Sequence, residues 1–484
     1  MYFNSFTFIL VFLPAVWLGY QVFLKYCPPL AAKLWLIASS LYFYGYWNPK
    51  YLVLIVGSMV FNYLMGRLLA TSPWKSRWLI VAITINLIPL CFYKYLDFGL
   101  QSFNSLFDAE LPLFGLILPL AISFFTFQQI AYVVDCYKGI KNEPNFVDYC
   151  LFVCFFPQLI AGPIVHHQEI TPQFAATNKD SITAETMAKG IFVFAIGLFK
   201  KVIIADNLAP LANVAYDFNI SITFLDTWLA TLVFYLQLYF DFSGYTDMAT
   251  GSALMFNIKL PLNFNSPIKS LSMQDFFRRW HITLSRWLGD YIYRPLGGHG
   301  NNQWQAAQNI TITFLLGGIW HGAGWNFVMW GLVHAGGFLI FQLWRTYGGG
   351  QLPKIIAWSF TFYYACYTAV YFKAKTATKG HECALRMAGL DGIELPGKRK
   401  QFLPSLGGYF RFTGATVLYR HNLQYILIAV GVLMFTVLYF RNSNQQLESL
   451  KPKWYTAVWV AILLTTCIIF MLDDRPDSFL YFQF

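Results

Sequence analysis

LLGGIWHGAGWNFVMWGLVHAGG, residues 315–337, is the stretch on which the reading of this chain turns. It lies inside residues 295–344, a segment with no Asp, Glu, Lys or Arg that nevertheless carries His321 and His334. So apolar a stretch belongs in a membrane. A titratable imidazole at membrane depth is costly, which points to function rather than decoration. On one straight helix the two histidines would stand roughly 20 Å apart along the axis, too far to act as a dyad. The run Gly322, Ala323, Gly324 offers a break that would shorten that distance. An imidazole, with an unperturbed pKa near 6.5, suits general-base work around neutrality. The plainer alternative is a hydrogen-bonded packing residue.

The rest of the chain agrees with a membrane setting. It has 484 residues, 57% hydrophobic and 12% charged, with mean hydropathy +0.47. A soluble domain carries about 25% charged residues. A crossing needs roughly 20 apolar residues, and charge-free runs of that order cover 1–24, 111–134, 421–440 and 454–472. Shorter ones cover 34–47, 51–65, 78–93, 190–199 and 227–240. The expectation is an all-α polytopic membrane protein with about 11 transmembrane helices and no soluble domain. It is expected to form one membrane-embedded domain over 1–484, with a core over 1–345, a polar loop over 373–420 and C-terminal helices over 421–472. The first run lacks a basic leading region and an A-x-A-type cleavage site, so it reads as a retained helix.

The net charge of +11 is read as loop topology, not nucleic-acid binding. Lys25 and Lys33, then Arg67, Lys75 and Arg77, mark inward loops. Asp97, Asp108, Glu110 and the tail residues Asp473, Asp474 and Asp477 mark outward ones. The sidedness of 373–420 stays open. Eight cysteines are scattered, mostly within apolar runs. Cys150 and Cys154 read as small packing residues, and no metal site or disulfide framework is expected.

Three stretches interrupt the plain spans. In FFPQLIAGPIVHH, residues 155–167, Pro157, Gly162 and Pro163 break an apolar run. Broken backbone at membrane depth survives only inside protein or along a wet cavity, so a kinked or re-entrant element competes with an ordinary helix ending near Gly162. In SMQDFFRRWHITLSRWLGDYIY, residues 272–293, Ser272 and Asp275 fit a capping box. Phe276, Trp280, Leu284, Trp287, Leu288 and Tyr291 form one apolar stripe, with Arg278, Arg279 and Arg286 on other faces. This is a basic amphipathic helix, either a lipid-contacting surface or a wall with cations for a phosphate-bearing donor. The third stretch is the polar segment 373–420, which reads as an outward platform or a simple loop.

YFDFSGYTDMATG, residues 239–251, sets Asp241 and Asp247 in or beside an apolar run. Intramembrane carboxylates suggest a pathway, an orienting group or an ion-pair partner, and Arg278 or Arg279 is the partner expected. The chain contains no G-x-S-x-G, HExxH or GxxxxGK[ST] pattern, so serine-hydrolase, zinc-protease and P-loop chemistry lack support. GGHGNN, residues 297–302, is a glycine-rich candidate for cradling phosphate.

The chain resembles the membrane-bound O-acyltransferase family, closest to its alginate O-acetyltransferase (AlgI-like) branch. The resemblance rests on FNSFTFILVFLP, YGYWNPKYL, ILPLAISFFTFQQIAYVVDCY, FFPQLIAGPIV, GLFKKVIIADNLA, LYFDFSGYTDMATG, RRWHITLSRWLGDYIYRPLGG, LLGGIWHGAGWNFVMWGLVHAG and the terminal SFLYFQF. It covers most of residues 1–345 and returns at the C-terminus. WLGDY departs from the family's usual WLRDY and places Gly289 where a cation is common.

The resemblance implies a ring of tilted helices around a central tunnel. A cytoplasmic funnel would admit an acyl thioester, and an outward funnel the acceptor. It carries the family's essential histidine over to His321 and the second histidine position to His334, the candidate catalytic pair. Candidate substrate-binding residues are Arg278, Arg279, Trp280 and His281 at the inner mouth, with Asp241, Asp247, Trp320 and Asn326. No bound cofactor is expected, and acetyl-CoA or another acyl thioester is the donor. The expected function is transfer of an acyl group, acetyl first, to an exopolysaccharide or a periplasmic relay enzyme of the SGNH type. The location is the bacterial cytoplasmic (inner) membrane, the bilayer and export proteins are the expected partners, and no nucleic acid is expected. The alternatives are D-alanine transfer to an envelope polymer, a proton-coupled transporter or flippase, and a non-enzymatic scaffold.

Overall fold

The computed structural model describes residues 1–140, 145–176, 182–214, 216, 223–300, 302–396, 410–413, 423–472 and 480. The tail aspartates, the 478–484 motif apart from Leu480, Asn301 and most of 397–420 lie outside the described residues. In hydrocarbon each backbone polar group needs a partner within the chain, and the regular structure is accordingly helical. In chain order the helices are α1 (Leu13–Tyr26), α2 (Pro29–Gly45), α3 (Leu52–Thr71), α4 (Lys75–Leu90), α5 (Leu96–Phe107), α6 (Ile122–Tyr137) and α7 (Phe146–Cys154). Next come α8 (Phe156–Leu159), α9 (His167–Ala176), α10 (Ala184–Phe199), α11 (Asp206–Val214), α12 (Phe224–Met255), α13 (Met273–Phe277) and α14 (Ile282–Leu288). The last group is α15 (Gln303–His321), α16 (Trp325–Thr346), α17 (Lys354–Lys373), α18 (Ala377–Met387), α19 (Leu423–Tyr439), α20 (Ser443–Ser449) and α21 (Trp454–Met471). One short parallel pair, β1 (Ile393–Pro396) and β2 (Phe410–Thr413), aligns Ile393 with Phe410. The polar segment after Lys373 therefore opens with a helix and a strand rather than a plain loop.

Among the described residues, five helical stretches are long and apolar enough to cross a membrane: Thr7–Tyr26, Pro49–Thr71, Lys75–Phe107, Trp325–Thr346 and Trp454–Met471. The bent pair Leu423–Tyr439 and Ser443–Ser449 makes a sixth if counted as one span. The run 111–134 is not one span. Residues 111–119, which include Pro112 and Pro119, are non-helical, and Gly115 has φ +61°. The Asp97 carboxylate accepts from the backbone N–H of Phe114 (2.9 Å) and Leu116 (3.3 Å), which ties this stretch to α5.

The chain divides into two compact units. The first comprises Met1–Val202, Ser243–Asn263 and Ser443–Phe484; the second comprises Ile203–Phe242 and Phe264–Asn442. In the first unit Phe3, Phe8, Phe43 and Phe156 are fully buried and pack ring against ring. The interrupted stretch lies here too. Helix ends at Leu159, and the following residues through Val165 are irregular and buried. Side chains satisfy the backbone around this break. The Ser40 hydroxyl accepts from the Phe156 N–H at 3.1 Å, and the Gln158 amide donates to the Phe152 carbonyl at 2.6 Å. This is the kinked element, enclosed in protein as the physics requires.

Glycines set the seam between α10 and the second half of α12. A Cβ on Gly197 would stand 2.6 Å from the Gly244 carbonyl, and one on Gly251 would stand 2.6 Å from the Gly190 carbonyl. The two backbones touch directly, the close approach that small residues permit between membrane helices.

In the second unit Ala230, Val370, Ala374, Cys383 and Met387 form a core that seats α17 and α18 on α12, with Trp228 packed against it. The Trp228 indole donates to the Met387 carbonyl at 3.0 Å.

Candidate active site

The helix carrying the first histidine stops at His321, because the two glycines that follow allow the chain to turn back. A Cβ on Gly322 would collide with the Phe327 ring, and one on Gly324 with the Asn326 side chain. α16 then returns antiparallel to α15. Gly318 faces the Phe327 carbonyl and Gly331 faces the Phe314 carbonyl, with no room for a methyl group at either. The hairpin corrects the single-helix distance of roughly 20 Å. Trp330 stands edge-on to both histidines, its ring centroid 4.8 Å from His321 and 4.4 Å from His334. One indole separates them.

Both imidazoles are buried. His321 also meets Trp320 at 5.0 Å and Phe372 at 5.3 Å. His334 meets Phe277 at 5.2 Å, and its Nδ1 lies 3.4 Å from the Tyr364 hydroxyl, which donates to the Val333 carbonyl at 2.7 Å. At 3.4 Å the histidine contact is the weaker of the two.

The amphipathic segment is not one helix. α13 ends at Phe277, His281 adopts a left-handed conformation (φ +44°), and α14 starts at Ile282, followed by a short π-helical stretch over Gly289–Tyr293. A left-handed histidine is uncommon and worth notice at a functional site. The Ser272 hydroxyl accepts from the Asp275 N–H at 3.1 Å as expected, but the Asp275 carboxylate accepts from Leu271, one residue before the cap. The break turns the buried His281 ring toward the hairpin, 6.5 Å from His321 and 4.8 Å from Phe242. His281 lies outside the five apolar spans, and burial pushes its imidazole down to about 3, so the ring is neutral at physiological pH.

A cavity of about 250 Å³ joins these elements. Trp280, His281, Gly289, His299, Phe314, His321 and Trp330 are among its lining residues. It is buried at His281 and His321 and exposed at His299. A Cβ on Gly289 would meet nothing within 4 Å, so this position leaves the wall open.

The other candidates take separate places. His334, Trp320 and Asn326 do not line the cavity. Trp320 packs on His281 and His321. The buried Asn326 amide donates to the carbonyls of Tyr371 (3.3 Å) and Ala374 (2.9 Å), which fastens the start of α16 to the end of α17. Asp241 is buried on α12, next to Phe242. Asp247 lies in the first unit. Its expected arginine partner is replaced by Lys200, whose Nζ is 2.6 Å away, and the Ser443 hydroxyl donates to it at 2.9 Å. Arg279 is taken by Asp275 at 2.7 Å, and Arg278 is exposed. Sequence reasoning missed Tyr364 and Phe372, which come from α17 and carry no local signal. It also missed Tyr293, which pairs with His299.

The profile of the membrane-bound O-acyltransferase family matches residues 137–375. The chain is 42% identical to the peptidoglycan O-acetyltransferase of Helicobacter pylori, over all of this chain and 97% of that protein. The chain belongs to the membrane-bound O-acyltransferase family. This acyltransferase is also 34% identical, over the full length of both chains, to the probable alginate O-acetylase AlgI of Azotobacter vinelandii. It is 28% identical to the teichoic acid D-alanyltransferase of Bacillus subtilis, over 61% of this chain and 77% of that one. The family and the apolar helices make it a multi-pass membrane O-acyltransferase, which decides against the transporter and scaffold readings.

Proposed function

We propose that this enzyme takes an acetyl group from a cytoplasmic thioester, acetyl-CoA first, and delivers it to a hydroxyl of a cell-envelope glycan. Delivery beyond the bacterial inner membrane is direct or passes through a periplasmic relay acyltransferase. One observation carries this reading: the cavity runs from an exposed end at His299 to a buried end where His321 stands against Trp330. His321 is the base. It takes the proton of the acceptor hydroxyl as the oxygen attacks the thioester carbonyl. The C–S bond then breaks, and the thiol, with a pKa near 8.5, leaves as thiolate and recovers the proton. General-base catalysis of this kind is worth typically 10²–10⁴-fold, and holding two substrates in line adds more.

His334 supports His321 through the shared Trp330. Trp280 and His281 shape the cavity wall, and Arg278 and Arg279 add positive charge on the donor side. Arg278, Arg279, Arg286 and Arg294 lie on the segment 272–294, which lines the cavity, and Arg345 at the end of α16 bonds Gln274 of that segment; this basic run favours the cytoplasmic side. We read residues 1–484 as one membrane-embedded domain with about 11 crossings around a central tunnel. Short helices such as α10, with 16 residues, suit crossings of a thinned membrane.

The full-length likeness to a peptidoglycan O-acetyltransferase favours peptidoglycan as the acceptor, and the alginate relatives support an exopolysaccharide second. The test is the ester-linked acetate on each polymer, measured by mass spectrometry in a deletion strain complemented with wild type or His321→Ala. Loss of acetate from one polymer, unrestored by His321→Ala at equal expression, is the expected result. Full restoration by that variant would remove His321 from the chemistry.

A further inference from the structure

The geometry points to Arg345 and His299 as the residues that hold the phosphate of the acyl donor at the open end of the cavity, an inference that rests on the donor reading above. The lining positions on α15 run from Ile310 to His321 at helical spacing, so the cavity follows one helix face for about 16 Å. His321 marks its buried end. At the other end α16 returns beside the start of α15, where the Tyr347 hydroxyl donates to the Gln303 side chain at 3.4 Å.

The glycine-rich loop before α15 is held in a set shape. Asn309 donates to the carbonyls of Leu296 (3.0 Å) and Gly298 (2.9 Å), and Gly297, Gly298 and Gly300 all adopt positive φ. His299 projects from this loop with its Nδ1 3.1 Å from the Tyr293 hydroxyl, and both residues line the cavity.

Arg345, two turns beyond the lining residue Phe338 on α16, reaches the cavity through Gln274. Its Nη1 donates to the Gln274 side-chain oxygen at 3.1 Å, Gln274 lines the cavity, and the Phe341 ring lies 5.9 Å from the guanidinium. Both partners are uncharged. Among the described residues no carboxylate pairs with Arg345, whereas Arg279 and Arg294 are taken by Asp275 and Asp290. A guanidinium held by neutral partners keeps its charge for an anion, and its planar fork suits phosphate. A mainly apolar cavity with a cation at the rim and an imidazole at the far end matches a donor with its phosphate outside and its thioester on an uncharged arm.

The test is binding, which needs no acceptor. The full-length protein in phosphatidylcholine vesicles is titrated with CoA and with pantetheine, which has the same arm without phosphate. Arg345→Gln and His299→Gln are expected to weaken CoA binding, Arg345→Gln by roughly 10- to 100-fold, and to leave pantetheine binding unchanged. Arg345→Lys should fall between wild type and Arg345→Gln, which shows that the site is folded. Unchanged CoA affinity in Arg345→Gln, or equal loss of both ligands, overturns the inference while the donor reading stands. Competition by added phosphatidylglycerol that Arg345→Gln abolishes would assign the rim to a lipid headgroup instead. A wild type that binds neither CoA nor pantetheine overturns both.

Discussion

Trp330 sets the geometry of the residues around it. Its indole is edge-on to His321 and His334 alike, and only His321 also lines the cavity. The two histidines should therefore fail differently. His321→Ala should lower kcat by roughly 10²–10⁴-fold, the usual worth of a general base. His334→Ala should cost less and leave a measurable rate; equal losses would make the pair a single catalytic unit. His281 is neutral well below neutrality, so the pH–rate profile should not report it. His281→Asn is expected to lower kcat without moving the acid limb of the profile, and a displaced limb would contradict that. In the first unit, Lys200→Met strands a buried Asp247 carboxylate. A stranded buried charge costs about 3–5 kcal/mol, so the variant should unfold at a lower temperature, and adding Asp247→Asn should recover part of the loss.

At the scale of elements, the hairpin of α15 and α16 depends on glycines where two backbones meet. Gly318→Ala would drive a methyl group into the Phe327 carbonyl. Overpacking of this kind costs typically 1–3 kcal/mol, so the melting temperature should fall and His321 should lose its contact with Trp330. A variant with wild-type melting and activity would show that the hairpin can spread. Helix existence was legible from apolar runs, and the break at Gly322–Gly324 was legible as a possibility. The break at His281 was not. An apolar stripe at helical spacing continues straight through it, and the rings that receive His281, Phe242 and Trp320, come from parts of the chain distant in sequence. The Asp247 partner was illegible for a similar reason. Lys200 and Ser443 are far apart in sequence and meet the carboxylate only in three dimensions.

At the scale of the whole chain, topology is the open consequence of the proposed donor side. Truncations at Gly350 fused to a fluorescent protein or to alkaline phosphatase report which side α16 ends on. Fluorescence without phosphatase activity is expected, and the reverse would move the rim of Arg345 and His299 to the outside. Family membership was legible because its motifs run along most of the chain in order. Among the described residues, five helical stretches, or six with the bent pair, are long and apolar enough to cross, fewer than the 11 crossings expected from the charge-free runs. The seam of α10 and α12 carries a further consequence. Gly190 and Gly197 are two helical turns apart, as are Gly244 and Gly251, and they match only in one antiparallel alignment. Sliding either helix by a single turn would put side chains where backbones now touch. The four glycines thus work as a register key: they exclude every neighbouring alignment by steric refusal, and need no attraction of their own to do so.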